Sequence, residues 1–110
     1  MEPEFQIILT TFPDQETAHS SVQALLENHL IACANLIPSV VSIYEWKGQV
    51  MTDQEILVIL KTTRECYQSL AKLLQETHPY EVPEIIAVDI SQGSGSYLDW
   101  VRQACQPPQS

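Results

Sequence analysis

The stretch His78-Pro-Tyr-Glu-Val-Pro-Glu84 sets an imidazole, a phenol and two carboxylates around two prolines, just ahead of the apolar run Ile85–Val88. Pro79 and Pro83 fix their own φ and push His78 and Val82 toward extended backbone, so the polar groups ride on a stiff connection. Such a set could hold a cation, with His78, Glu81 and Glu84 as ligands and Tyr80 as a neighbouring hydroxyl. It could also end a helix and turn the chain, each polar group being satisfied locally. No second imidazole or thiolate lies close by in sequence, and metal sites usually show denser ligand sets, which tilts the stretch toward the turn.

The remaining reactive side chains are sparse. Cys33, among the small and apolar residues of "LIACANLIP" (30–38), reads as a buried, inert thiol, and otherwise as the best soft-metal ligand of the chain. Cys66 and Cys105 fall on apolar helix faces and are assigned to the core. His19 is read as solvated and His29 as closing a helix, so neither is given a role. Lys61 follows the five apolar residues "ILVIL"; it either snorkels at a strand end or pairs with Glu45, Glu81 or Glu84. Tyr44, Trp46, Tyr97 and Trp100 are read as core or interface rings. His78 and Glu81 could form an acid–base pair, but no nucleophile, base and orienting group can be assembled and no cofactor fingerprint is present. The chain is therefore not read as an enzyme. Its glycines stand only at 48, 93 and 95, and "QGSGS" is too short and wrongly placed for a phosphate-binding loop.

Bulk properties narrow the partners. A chain of 110 residues makes one domain. Fourteen Asp and Glu against five Lys and Arg give a formal charge of −9, and the basic residues are scattered. Nucleic acid is excluded as a partner, since counterion release needs clustered Lys and Arg. Three cysteines without CxxC spacing argue against a disulfide framework and a zinc ribbon. The opening "MEPEFQ" lacks the pattern of a secretory signal, and the longest apolar run, Ile56–Leu60, is far too short to span a membrane. The expectation is a soluble, cytoplasmic protein with no membrane partner.

Periodicity gives the elements that must position these groups. "FQIILTTF" (5–12) reads as a strand, and a helix follows with Ala18, Val22, Leu25, Leu26 and His29 on one face and Asp14 as its cap. Residues 30–46 are strand-like, with Pro38 marking a bulge or an edge position. Lys47-Gly48 makes a turn and residues 49–62 return as a strand. Thr62-Thr63-Arg64-Glu65 offers a capping box with Thr62 as the cap, ahead of a helix whose face carries Cys66, Leu70, Leu73, Leu74 and Thr77. Residues 84–90 form the fourth strand, and Tyr97, Leu98, Val101, Ala104 and Cys105 line a last helix. The order βαββαβ plus a terminal helix predicts an α+β, ferredoxin-like domain over 1–106, one antiparallel sheet with helices on one face, and a frayed tail at 107–110.

The central hairpin predicts more. Its arms run to about fourteen residues against a usual strand of ~5–6. At ~3.3 Å per residue the longer arm reaches ~45 Å, whereas a domain of this size, with a radius of gyration near ~13 Å, is only ~35 Å across. An unpaired apolar ribbon of that length invites edge-to-edge pairing, so neighbouring chains are expected to complete it in a closed homo-oligomer.

Five stretches in register, "LIACANLIP" (30–38), "SIYEWKGQV" (42–50), "EILVILKTT" (55–63), "HPYEVPEIIAV" (78–88) and "YLDWV" (97–101), resemble the CutA divalent-cation-tolerance family. The resemblance implies a ferredoxin-like subunit in a homotrimer joined through its long hairpins, with a part in tolerance of copper and other divalent metals. It also implies that Cys33 is the family's recurrent cysteine in "ACAN". Copper-binding bacterial members use a cysteine late in the first strand and two adjacent histidines before Pro-Tyr; the matching positions here are Thr10, Thr77 and His78, of which His78 alone keeps a strong ligand. The expected function is thus a homotrimer responding to divalent metal, with copper or another divalent cation as the ion and His78, Cys33, Glu81 and Glu84 as candidate ligands. The alternative is a small-molecule sensor resembling the PII signalling proteins, with ligands in clefts between subunits.

Overall fold

In the computed structural model, which describes residues 2–107, strand β1 (Phe5–Phe12) is followed by helix α1 (Gln15–Glu27) and the hairpin strands β2 (Cys33–Trp46) and β3 (Gln49–Thr63). A 3-10 turn at Arg64–Cys66 leads into α2 (Tyr67–Thr77), and β4 (Ile86–Asp89) and α3 (Gly95–Ala104) complete the chain. All but Pro107 of the frayed tail expected at 107–110 lies outside the described residues. The sheet order is β2-β3-β1-β4 with every pair antiparallel, as a ferredoxin-like domain requires.

Local chemistry sets the boundaries. Asp14 caps α1, its carboxylate accepting from the Thr17 N–H at 2.8 Å. The helix stops two residues short of the end of the apolar pattern: His29 takes φ 57°, Leu30 N–H donates to Leu25 C=O and His29 N–H to Leu26 C=O. That is a Schellman closure, with Leu30 and Leu25 buried against each other's turn. His29 and the exposed Leu26 therefore leave the predicted apolar face. The predicted capping box is also absent. Thr62 lies within β3 and its hydroxyl donates to Leu30 C=O at 2.6 Å, a buried bond that outcompetes the cap. Strand β4 starts at Ile86 rather than 84, because Pro83 and the bends after His78 keep the chain out of the ladder.

One face of the sheet is the core. Ile8, Phe12, Val58 and Leu60 are fully covered and belong to one cluster with Ala18 and Leu25 of α1 and Leu70 and Leu74 of α2. Helix α3 adds Val101 and, just past its end, Cys105, whose sulfur lies 3.9 Å from the Thr62 hydroxyl. Burial pushes the Cys105 thiol up to about 11, the behaviour of a packed rather than a reactive cysteine. Cys66 is buried as well, so both helix cysteines stand in the core as expected.

The other face is covered by the described residues at one end only, where α3 brings Tyr97 to Cys33 and Arg102 over the Phe5 ring. Register places Ile7, Leu9 and Thr11 beside Lys61, Ile59 and Leu57, and these beside Cys33, Asn35 and Ile37. Lys61 donates to the Asn35 side-chain oxygen rather than to Glu45, Glu81 or Glu84. Ile37, Ile86 and Val88 are exposed on this face.

The hairpin arms are 14 and 15 residues long. They turn through Lys47 (φ 52°) and Gly48 (φ 79°), the two left-handed positions of a type I′ connection. Strand β1 ends at Phe12, opposite Ile56, so residues 40–55 pair only across the hairpin itself. This overhang gives the molecule its 44 Å long axis, against 27 and 24 Å for the others.

Candidate functional site

At the root of the overhang the ladder slips. Ile37 pairs with Leu57 but Val40 pairs with Glu55, so β2 carries one extra residue at Pro38-Ser39, and Ser39 takes φ 62°. A bulge of this kind reverses the side-chain parity of everything beyond it. Even-numbered residues of β2 now share a face with odd-numbered residues of β3: Ser42 stands across from Asp53, and Tyr44 across from Met51. Without the bulge, Tyr44 and Trp46 would point away from Asp53 and Glu55. With it, all four line one cleft.

The cleft has a volume of about 490 Å³. The ribbon forms one wall with Tyr44, Trp46, Asp53 and Glu55; the connection after α2 forms the other with Pro79, Tyr80, Glu81, Val82 and Glu84; Thr11 of β1 is at the base. Tyr80 Oη donates to Glu55 Oε2 at 2.5 Å, and Tyr44 Oη donates to an Asp53 carboxylate oxygen. Burial first, and then the Glu55 acceptor, drives the Tyr80 phenol well above its usual range; the Asp53 bond raises that of Tyr44. Both phenols stay protonated and act as fixed donors, which locks their rings as walls. Within the lining four carboxylates, Asp53, Glu55, Glu81 and Glu84, face no lysine, arginine or histidine.

His78 stands behind this cleft rather than in it. Its Nδ1 accepts from the Tyr80 N–H at 3.1 Å, so the proton sits on Nε2, which donates to Thr11 C=O at 2.8 Å. The ring stacks on Phe12 with centroids 4.3 Å apart. Burial lowers its pKa, outweighing the Thr11 carbonyl and Glu55, so the neutral form is favoured. The imidazole thus splices β1 to the connection and aims Tyr80 at Glu55.

The four candidate ligands separate into three places. Glu81 and Glu84 share the cleft; His78 is behind it with both nitrogens engaged. Cys33 is opposite Lys61, six residues along β3 from Glu55 or ~20 Å away, and its sulfur is 3.5 Å from Tyr97 Oη. The copper positions carried by the resemblance do not fit that ion. Thr10 is buried on the core face with its hydroxyl making no hydrogen bond, and the Thr77 hydroxyl donates to Leu73 C=O at 2.8 Å. Among the described residues, no three His, Cys, Asp or Glu side chains converge as a ligand shell. What the cleft can do is hold positive charge against oxygen and aromatic faces.

Sequence reasoning located Glu81, Glu84 and Tyr80 but took Tyr44 and Trp46 for interface or core rings, and passed over Asp53 and Glu55. The signal was available in Pro38: read as a bulge and carried through the register, it turns the two aromatics to the side of the two acids.

Comparison with known proteins agrees with this architecture. Residues 6–104 match the family described as CutA1 divalent ion tolerance protein. The divalent-cation tolerance protein CutA of Thermus thermophilus is 43% identical over 98 residues, covering 89% of this chain and 95% of that protein. The human protein CutA is 43% identical over 96 residues, and the matched region spans only 54% of its length. The solved structure of the Thermus thermophilus divalent cation tolerance protein superposes with a TM-score of 0.90 at 41% identity, covering 93% of this chain and 99% of that one. CutA1 of Oryza sativa superposes at 0.92 with 31% identity and 96% coverage of both chains. With its family match, its relatives and its sheet order in agreement, the chain belongs to the CutA1 divalent ion tolerance protein family.

Proposed function

We propose that this protein serves in divalent-cation tolerance as a homotrimer that binds cations without catalytic turnover, copper being the first ion to test. The observation that carries the reading is the cleft between ribbon and connection, where Asp53, Glu55, Glu81 and Glu84 stand without a counter-charge. The donors do not form an inner ligand shell, so a divalent ion is held there with its water, by long-range attraction and water-mediated bonds. The homotrimer is supported by the sheet face that α3 covers at one end only and by the overhanging ribbon, whose back presents Val41, Ile43 and Val50 to solvent at 58, 68 and 74% exposure.

Calorimetric titration of Cu(II) and Zn(II) against a competing chelator tests the cation site. Sub-millimolar binding that weakens in Glu55→Gln and Glu84→Gln is expected; binding no better than millimolar, or unchanged in both variants, contradicts it.

A second reading, a small-molecule sensor like the PII signalling proteins, is favoured by one observation. Tyr44 and Trp46 reach the cleft from the overhang, so a neighbouring chain against the ribbon would close it from the far side. A thermal-shift screen of metabolites tests it, because a ligand of the folded state raises its melting temperature.

A further inference from the structure

The composition of the cleft's walls goes beyond a general affinity for positive charge. A site built for a bare divalent ion brings oxygens together within 2.0–2.6 Å of one point. Here the carboxylates are dispersed, and two of them are already engaged: Glu55 accepts from Tyr80 and Asp53 from Tyr44. Those bonds hold two aromatic rings upright beside the acids, and Trp46 supplies a third ring on the ribbon. Glu81 and Glu84 remain free to accept from a guest, since neither forms a salt bridge or side-chain hydrogen bond among the described residues. A space of about 490 Å³ holds a small organic molecule rather than a single ion. Aromatic faces attract diffuse, weakly hydrated cations strongly and tightly hydrated metal ions poorly.

We infer that the cleft formed by Tyr44, Trp46, Tyr80, Asp53, Glu81 and Glu84 is a binding site for an organic cation, an alkylammonium or guanidinium compound, in preference to a hydrated metal ion. The carboxylates supply its counter-charge and its hydrogen-bond acceptors; the rings supply the selectivity. Val82 and Pro79 line the apolar part, which accommodates the carbon chain between charged groups. The bulge at Pro38-Ser39 is the device that makes the site, since it brings two of the three rings to the acidic side. The inference rests on the proposed cation cleft and names its ligand class.

Spermidine, agmatine and tetramethylammonium separate the two charge types and the need for N–H donors, with Mg(II) as the hydrated-ion control at matched ionic strength. Calorimetric titration of the full chain is expected to show at least one organic cation binding about tenfold tighter than Mg(II). In Trp46→Leu, which keeps every charge at an exposed ribbon position, that cation weakens about fivefold, the scale of one cation–π contact, while Mg(II) is unchanged. Tyr80→Leu repeats the comparison on the opposite wall, and sedimentation of each variant confirms an unaltered assembly. Equal affinity for organic cations and Mg(II), or no loss in either ring variant, overturns the inference while leaving a charge-only cleft. Absence of all cation binding, metals included, overturns the proposed cation cleft itself.

Discussion

The two faces of one sheet carry nearly the same kinds of residue and have different fates. On the core face, Ile8, Val58 and Leu60 are sealed by helices, while Ile7, Leu9, Leu57 and Ile59, alternating with them, are only partly covered by the chain itself. A sheet with one wet face alternates apolar with polar residues. This one reads apolar on both, interrupted chiefly by the Lys61–Asn35 pair on the open side. The contrast teaches that cover for the second face is written into the strands although, among the described residues, α3 provides it at one end only. The ribbon repeats the pattern on a smaller scale, with acids and rings on the cleft side and Val41, Ile43 and Val50 behind.

The sharpest break in this comparison is a pair of substitutions at two β3 positions on opposite faces of the sheet. Leu60→Ala removes a fully buried side chain between helix and sheet and is expected to cost ~2–5 kcal/mol in urea unfolding at fixed chain concentration. Leu57→Glu on the open face is expected to leave the far-ultraviolet circular dichroism intact and to dissociate the proposed homotrimer in light scattering. If Leu57→Glu unfolded the chain and Leu60→Ala separated the subunits, the assignment of faces would be reversed.

His78 joins the two faces' ends to the cleft, and its effect depends on pH. Its pKa is depressed below the usual 6.5 by burial. The unfolded chain therefore binds a proton that the folded chain resists, so its contribution is full above pH 6.5 and is lost as pH falls toward the folded value. The melting temperature is expected to decline from pH 7.5 to 5.5, and His78→Gln to flatten that decline. A slope unchanged in the variant would mean that the imidazole is not held neutral. Smallest of all is the Arg102 cluster, where the guanidinium bonds Glu4 and Asp99 in the open. Arg102→Lys, which keeps the charge, is expected to lower the melting temperature only slightly, since the exposed ion pairs contribute little and the lost part is the guanidinium's stacking on the Phe5 ring.

Much of this contrast was legible in the residues, and its limits are physical. The element order, the Lys47-Gly48 turn and the over-long arms follow from period and turn chemistry, which are local. The closure at His29 was legible, its Leu30-to-Leu25 bond being local, whereas the loss of the Thr62 cap was not, because a long-range bond from Thr62 to Leu30 decided it. The site was half legible. "HPYEVPE" advertised its own wall through its prolines and acids. The opposite wall depended on a one-residue slip in pairing between strands that sequence spacing does not display. Cys33 stood out by type alone, and register put it far from the cleft.

Sedimentation equilibrium of the unmodified chain at micromolar concentration bears most directly on whether neighbouring copies roof the open face and flank the ribbon. A single species with the mass of three 12.4 kDa chains is expected. A stable 12.4 kDa particle under the same conditions would contradict it.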